Sequence, residues 1–204
     1  MRAVILANGE IQNYEILKPY LKNDDYVICA DGGLRHAEKL GLSPNLVMGD
    51  MDSVSSLPEH VQKMVFPVRK NATDGQIVIE YALEQGFSEL LLFGFFGGRA
   101  DHFLTNVFLL TKTKEIDALM AENGCEIRLC KRENIVAGKP GDVISIIPLS
   151  ETLSGITTQG LDYPLADGTL YFGDSRGNSN VMTGTECRIS TKNGTGLIIK
   201  EVQP

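Results

Sequence analysis

The chain has 204 residues, a length that suits one large domain or a medium domain with a smaller companion. Hydrophobic residues make up 43% and charged residues 22%, a globular composition that excludes a disordered chain. The formal net charge is -7 and no cluster of Lys and Arg interrupts it, so we expect no nucleic-acid partner. Apolar runs fall short of the ~20 residues that span a bilayer. We therefore expect no membrane partner and a cytoplasmic location.

The first half of the chain repeats one unit: a short apolar run, a loop of small and acidic residues, and a stretch of helical periodicity. The apolar runs predict strands at residues 3–6, 26–30, 46–48, 64–68 and 90–93. Helices are predicted at 34–40 and 77–85, each followed by a glycine that ends it. Such alternation predicts an α/β domain with a Rossmann-like, mostly parallel sheet.

The pattern changes near Glu126 to short segments with a period of two. These segments predict antiparallel strands at residues 127–130, 143–147, 168–172, 187–190 and 197–199. A helix is predicted at 113–122, and Asn123-Gly124 after it is a stop signal. We therefore expect an α/β domain over residues 1–124 and a smaller all-β sandwich over 125–204.

The four cysteines lack the spacing of a metal site or a disulfide framework. They are Cys29, Cys125, Cys130 and Cys187, with no CxxC pair among them. We expect four free thiols, which agrees with a cytoplasmic protein.

Acidic and cationic residues follow the predicted strands of the first half. In an open α/β sheet, ligands bind beyond the carboxyl ends of the strands, so these residues are expected to converge. Carboxylates beside cations are typical of a Mg²⁺ site that binds a phosphate-bearing substrate. The candidate residues are Asp31, Gly32, Gly33, Asp50, Asp52, Lys70, Thr73, Asp74, Gly98, Arg99, Asp101 and His102.

Each of these pieces also has a purely structural interpretation. Asp50 and Asp52 can share a metal from extended backbone, yet Asp-x-Asp also occurs in ordinary turns. Thr73 with Gln76 matches a capping box, and a helix N-terminus that is capped can also bind an anion. Arg99 suits a phosphate, but the same sequence is also expected for a solvated arginine in a surface turn.

With these loops in view, the chain closely resembles the thiamine pyrophosphokinase family. The matching stretches keep the family's order and spacing across nearly the whole chain. They are Ala30-Asp31-Gly32-Gly33, Gly49-Asp50-Met51-Asp52-Ser53, Lys70 with Thr73-Asp74, Gly97-Gly98-Arg99 with Asp101-His102, Asn106, Gly160 to Leu165, and Gly177-Asn178-Ser179-Asn180.

The resemblance implies transfer of a diphosphate from ATP to the hydroxyl of thiamine, with release of AMP. By similarity, Asp50, Asp52 and Asp74 would hold Mg²⁺, with Asp101 close to the metal and the thiamine hydroxyl. Lys70 and Arg99 would contact the triphosphate. The sequence leaves open whether Asp74, Asp101 or neither accepts the hydroxyl proton.

The resemblance further implies nucleotide contacts from the stretches around Asp31, Gly32, Gly33, Thr73, Gly98, His102 and Asn106. It implies a homodimer whose active sites lie at the subunit interface, with Ser179 and Asn180 binding thiamine. From composition alone, that glycine-bounded segment is equally an ordinary hairpin loop.

The chain departs from the family pattern at two places, of which the first removes one potential carboxylate and the second affects nearby substrate contacts. Asn71 replaces an aspartate usual in bacterial members, and Leu34-Arg35 replaces a small residue and an asparagine. Alternative functions are a diphosphokinase for another alcohol such as a hydroxymethyl pterin, a thiamine or nucleotide sensor without catalysis, and a Mg²⁺-dependent phosphohydrolase.

Overall fold

The computed structural model describes residues 1–49, 61–65 and 71–202. The chain divides into two compact units, Met1–Asn123 and Gly124–Pro204. The candidate residues Asp50, Asp52 and Lys70 lie outside the described residues.

The first unit alternates strands with helices. Its helices are α1 (Leu34–Leu40), α2 (Asp74–Glu84) and α3 (Ala100–Leu109). Its strands are β1 (Arg2–Leu6), β2 (Tyr26–Ala30), β3 (Leu46–Gly49), β4 (Gln62–Val65), β5 (Glu89–Phe93) and β6 (Asp117–Glu122). Gly41 ends α1 in the left-handed conformation with φ 70°, which glycine adopts without a steric penalty.

The strands of the first unit pair in parallel, in the order β6-β5-β1-β2-β3-β4. The chain leaves β1 toward β2 and β3, then returns to place β5 on the other side of β1. The connections that leave β1 and β5 therefore run toward opposite edges of the sheet, and the carboxyl ends of two such neighbouring strands are where α/β sheets bind ligands, in a crevice. The candidate site lies in that crevice.

Burial explains why these segments form a sheet with helices packed on it. β1, β2, β3 and β5 each end in four consecutive buried residues, as expected for strands covered on both faces. Ala37 and Leu40 of α1 join a cluster with Val4 and Leu6 of β1. α2 packs against β1, β2 and β3.

The second unit consists of antiparallel strands in two groups. The orders are β7-β14-β9-β12 and β11-β10-β13-β8. The strands are β7 (Cys125–Leu129), β8 (Glu133–Ala137), β9 (Val143–Pro148), β10 (Thr152–Gln159), β11 (Gly168–Tyr171), β12 (Asn180–Val181), β13 (Glu186–Ser190) and β14 (Gly196–Glu201). Ile146 and Ile198 of the first group share a core with Val136, Ile156 and Ile189 of the second.

The helix predicted at residues 113–122 is wrong. A short 3₁₀ turn covers Leu110–Thr113, and Asp117–Glu122 forms strand β6. β6 pairs in parallel with β5, and Met120, Ala121 and Glu122 are buried. The tertiary partner outweighs the local helical periodicity, because the strand buries a continuous run that an amphipathic helix would expose in part.

The coarse fold expectation is confirmed: the chain is mixed α/β with a large sheet and a second antiparallel sheet domain. The strand pairing of the whole chain is mixed, so the finer Rossmann-like, mostly parallel class stays a prediction. β8, β10 and β12 were missed by the sequence analysis.

The four cysteines are free, as expected. Cys29 and Cys187 are buried, whereas Cys125 and Cys130 are partly buried. Burial raises the pKa of Cys29 to about 12 and the pKa of Cys130 to about 11, so both thiols are protonated at neutral pH. Within the described residues, α1, α2 and α3 are all too short to cross a bilayer.

Gly33 supplies a test of the packing between the loop after β2 and strand β1. A Cβ at Gly33 would lie 1.9 Å from the carbonyl oxygen of Leu6, a backbone atom that cannot move aside. We expect Gly33→Ala to lower the free energy of unfolding by about 3 kcal/mol. Gly184→Ala is the control, because a Cβ there meets nothing within 4 Å. Its effect should stay within about 0.5 kcal/mol in the same denaturant titration. Equal midpoints for the two variants would contradict the clash.

Candidate functional site

A cavity of about 350 Å³ opens beyond the carboxyl ends of β1, β2 and β5 in the first unit. Backbone and side chains from five segments line it. The lining residues are Ala7, Asn8, Gly9, Ala30, Asp31, Thr73, Asp74, Gly75, Gly94, Phe96, Gly97, Gly98, Arg99, His102 and Asn106. Seven of the candidate residues from the sequence therefore meet in one cavity.

Glycines let the loops of this cavity approach one another without side chains between them. A Cβ at Gly9 would lie 2.4 Å from the carbonyl oxygens of both Gly94 and Phe96. A Cβ at Gly94 would lie 2.3 Å from the carbonyl oxygen of Ala7, and Gly94 has φ 73°. The loops after β1 and β5 are therefore in direct backbone contact, which the hydrogen bond from Gly9 N to Gly94 O at 2.8 Å also shows.

Asp31 lies at the end of β2 in an unusual backbone conformation. Its φ of 46° is in the left-handed region, which residues with a side chain seldom occupy. Gly49 ends β3 against it, since a Cβ at Gly49 would lie 3.2 Å from the Cα of Asp31. The carboxyl ends of β2 and β3 therefore meet at the cavity wall.

The N-terminus of α2 faces the same cavity. Thr73 is its N-cap, and its Oγ1 accepts a hydrogen bond from the backbone N–H of Gln76 at 3.2 Å. The side-chain amide of Gln76 also donates through Nε2 to Glu80 Oε1 at 3.0 Å, one turn further along α2. Asp74 occupies the first turn, where the helix dipole favours a negative charge. Capping and cavity lining thus share the same residues.

Arg99 precedes α3 and pairs with Asp101. Nε and Nη2 of Arg99 donate to the two carboxylate oxygens of Asp101 at 3.1 and 2.6 Å. Both side chains are exposed, and the hydrogen bond from Arg99 lowers the pKa of Asp101. Arg99 lines the cavity, and Asp101 lies beside it rather than in its lining. The two N–H groups that Arg99 donates to Asp101 have the geometry to donate instead to two oxygens of a phosphate.

Asn106 on α3 binds the protein as well as lining the cavity. Its side-chain amide donates to the carbonyl oxygen of Phe95 at 2.9 Å. A Cβ at Gly75 would meet the Phe95 ring at 3.1 Å and Asn106 Oδ1 at 3.4 Å. Asn106 thus fixes the loop after β5 close to the first turn of α2.

Glu122, at the end of β6, is a feature that the sequence analysis missed. Its carboxylate is buried at 1% exposure, and Oε2 accepts hydrogen bonds from Gly94 N at 3.0 Å and Phe96 N at 3.3 Å. Within the described residues, no donor reaches Oε1. Burial raises the pKa of Glu122 to about 7, although the loop N–H groups favour the charged form.

Arg35, one of the two residues by which Leu34-Arg35 departs from the family pattern, and its neighbour His36 support the loop after β1. Arg35 Nη2 donates to the carbonyl oxygen of Asn8 at 2.8 Å. His36 is buried, with Nε2 2.8 Å from Gly9 O and Nδ1 2.7 Å from the Tyr14 hydroxyl. His36 was not among the candidate residues of the sequence, and burial lowers its pKa.

The remaining candidates lie beside the cavity or belong to the other unit. Gly32 packs against the Asn8 side chain, 2.3 Å from Oδ1 to an added Cβ, and Gly33 packs on β1. Both pack against residues of β1 and its following loop and do not line the cavity themselves.

Asn8 and Gly9 are lining residues that the sequence analysis did not include. Their signal was present, because they directly follow the first apolar run.

A second cavity, of about 330 Å³, lies within the second unit. Its lining combines apolar and polar side chains: Ile146, Thr158, Tyr163, Pro164, Leu165, Arg176, Gly177, Asn178 and Asn180. The Asn180 amide is engaged with the backbone of Tyr163, donating to its O at 2.7 Å and accepting from its N at 3.0 Å. Ser179 has φ 58°, and its N–H donates to Ser145 Oγ at 3.1 Å. Asn180 lines this cavity, and Ser179 lies next to it in sequence.

Two family models match the chain, one for each unit. Thiamin pyrophosphokinase, catalytic domain, matches residues 17–120, and thiamin pyrophosphokinase, vitamin B1 binding domain, matches residues 125–195. The first covers most of the unit with the larger cavity. The second includes the loop around Asn180.

Relatives and solved structures agree with these matches. Thiamine pyrophosphokinase of Bacillus subtilis is 28% identical over 213 residues, covering 96% of each chain. The crystal structure of that organism's thiamine pyrophosphokinase aligns over 100% of both chains with a TM-score of 0.89 at 25% identity. Thiamin pyrophosphokinase from Geobacillus thermodenitrificans aligns with a TM-score of 0.85 at 25% identity, over 100% of this chain and 98% of the other. With both family models matched in order along most of its length, the chain belongs to the thiamin pyrophosphokinase family.

Proposed function

We propose that the first-unit cavity binds ATP and that the chain transfers its terminal diphosphate to the hydroxyl of thiamine, leaving AMP. The family assigns this activity to the chain. The assignment of the cavity is ours. It is supported by one observation above the others: a helix N-terminus, an arginine and two carboxylates line the same glycine-walled space.

The chemistry of that lining fits a polyphosphate. The N-terminus of α2 attracts anions through its dipole and its first-turn N–H groups, and the Arg99 guanidinium can bind two phosphate oxygens at once. The backbone contacts of Gly9 and Gly94 keep side chains out of the loops, so a phosphate chain can approach the main chain. Attack of an alcohol on phosphorus requires positioning and charge stabilisation rather than covalent help from the protein.

Mg²⁺ is the metal that this lining fits best. Asp31 and Asp74 supply hard carboxylate oxygens on the cavity wall, which are the ligands Mg²⁺ prefers. We propose Asp74 as a ligand, together with Asp50 and Asp52, which follow the end of β3 in sequence. When bound, the ion would neutralise charge on the transferring phosphate oxygens. Lys70 is proposed as a second cation for the triphosphate.

The cavity of the second unit is the proposed thiamine site. Its aromatic and aliphatic lining suits the flat rings of thiamine, and Asn178 and Asn180 provide polar groups. Because the Asn180 amide is bonded to the Tyr163 backbone, we assign Asn180 to shaping the site as well as lining it. Ser179 is retained as a substrate-binding candidate.

We propose that the working form is a homodimer with sites shared between subunits. Exposed apolar side chains support it: Leu104 and Phe108 on α3, and Tyr163, Tyr171 and Phe172 in the second unit.

A cytoplasmic location is proposed on the four free thiols. The Rossmann-like class of the first unit is supported by its parallel pairing and its central β1.

The first test of the activity is AMP formation with and without thiamine. We expect AMP and thiamine diphosphate in equal amounts, with turnover lost when EDTA removes divalent metal. AMP formed without thiamine would indicate a phosphohydrolase, and binding without AMP would indicate a sensor. Turnover with a hydroxymethyl pterin in place of thiamine would indicate a different acceptor alcohol.

Arg99→Lys tests whether the guanidinium binds phosphate. An ammonium keeps the charge but cannot donate two parallel hydrogen bonds, so kcat/KM for ATP should fall by about tenfold or more. Arg188→Lys is a matched control, because Arg188 also forms an exposed pair with a carboxylate two residues away, Glu186 at 2.8 Å. Its kinetics should equal those of the wild type. If Arg99→Lys behaves like Arg188→Lys, Arg99 is a solvated turn residue.

Mixed dimers test the shared site. Asp52→Asn and Asn180→Ala homodimers should each be weak, because every site carries one lesion. In a heterodimer of shared sites, one site carries both lesions and the other carries neither. Purified heterodimers should then have about half of the wild-type activity if the sites act independently. Heterodimers without any recovery, or a fully active monomer, would place each complete site within one chain.

A further inference from the structure

A buried carboxylate behind the cavity fixes the loop that carries much of its wall. The loop runs from Gly94 to Arg99 and joins β5 to α3. Four of its residues besides Gly94 line the cavity: Phe96, Gly97, Gly98 and Arg99. Glu122 does not line the cavity, yet it accepts hydrogen bonds from the first and third N–H groups of this loop.

The position of Glu122 follows from the pairing of β6 with β5. The strands run in parallel, so the end of β6 lies beside the point where the chain leaves β5. There the loop turns with φ 73° at Gly94, and the N–H groups of Gly94 and Phe96 donate to the Glu122 carboxylate. A carboxylate oxygen can accept two of them at once, which a backbone carbonyl fixed in a sheet does less readily.

Burying a carboxylate at this position carries a large desolvation cost. Glu122 is 1% exposed, and among the described residues its recorded partners are backbone N–H groups rather than a cation. Glu122 also stabilises the loop, because without its carboxylate the N–H groups of Gly94 and Phe96, at the start of the cavity wall, would lose their acceptor. The raised pKa is consistent with this burial.

We infer that Glu122 is a positioning residue for the nucleotide: by accepting from Gly94 N and Phe96 N, it sets the path of the loop that places Gly97, Gly98 and Arg99 at the cavity. It acts through the loop and touches no substrate. This inference rests on the proposed nucleotide site. Small displacements of positioning groups lower rates strongly, since the reacting atoms must be aligned.

The test compares Glu122→Ala with Glu122→Gln. Alanine removes both acceptors, so the KM for ATP should rise about tenfold or more while the KM for thiamine stays unchanged. Glutamine keeps an acceptor oxygen of the same reach and should restore the KM for ATP to within about threefold of the wild type. A merely structural role would change stability in both variants without separating the two substrates.

A buried carboxylate of the second unit provides the matched control. Glu126 is 5% exposed and pairs with Lys200 at 2.5 Å and with Arg128. Glu126→Ala should lower the melting temperature and leave the KM for ATP unchanged. If Glu122→Ala does not fold, Glu122→Asp replaces it, because it keeps the charge but withdraws the oxygens by one methylene. A wild-type KM for ATP in the variant used would overturn the inference.

Amide hydrogen exchange measures how well the loop from Gly94 to Arg99 is held in place, without depending on catalysis. The N–H groups of Gly94 and Phe96 should exchange faster in Glu122→Ala than in the wild type, with exchange in the helix interiors unchanged. Equal exchange in the two proteins would overturn the positioning role. A wild-type chain that makes no thiamine diphosphate would reject the activity instead, so the two failures are distinguishable.

Discussion

Backbone atoms in direct contact at the carboxyl ends of β1, β2 and β5 are the constraint on which the site depends. Gly9 and Gly94 join the loops after β1 and β5, and Gly33 joins the segment after β2 to the end of β1. Each contact leaves no room for a Cβ. The close approach brings the N-terminus of α2, the loop before α3 and the end of β2 around one small volume, where their charges can act on the same ligand. Glycine at these three positions is therefore required by the site.

The sequence predicted the parts of the fold that depend on local signals. Strands β1, β2 and β5 and helix α1 were located to within a residue, because apolar runs and a terminal glycine mark them. The error at residues 113–122 has the opposite origin. β6 exists because β5 offers it a parallel partner, and the pattern of the segment alone does not contain that information. Strands β8, β10 and β12 were also missed, and they likewise depend on partners elsewhere in the chain, which are antiparallel.

The sequence predicted which residues line the candidate site but not the hydrogen bonds that hold those residues and their neighbours in place. Asp31, Asp74 and Arg99 were identified because they follow apolar runs, and they line one cavity. His36 and Glu122 were not identified, since their partners are 27 and 28 residues away in sequence. Asn180 was predicted to bind thiamine, and its amide is bonded to the Tyr163 backbone. Long-range hydrogen bonds to backbone atoms leave no motif in a single sequence.

The left-handed backbone of Asp31 has a consequence for how substitutions at this position would be selected. Glycine would adopt a φ of 46° without steric strain. Asp31→Gly would therefore relieve the backbone strain and remove a carboxylate from the cavity wall. Selection for stability alone therefore acts on the backbone strain of this position and is blind to the carboxylate that it places at the cavity. A directed-evolution experiment that screens only for heat resistance should therefore sample glycine at position 31, and each such variant lacks one carboxylate of the cavity wall.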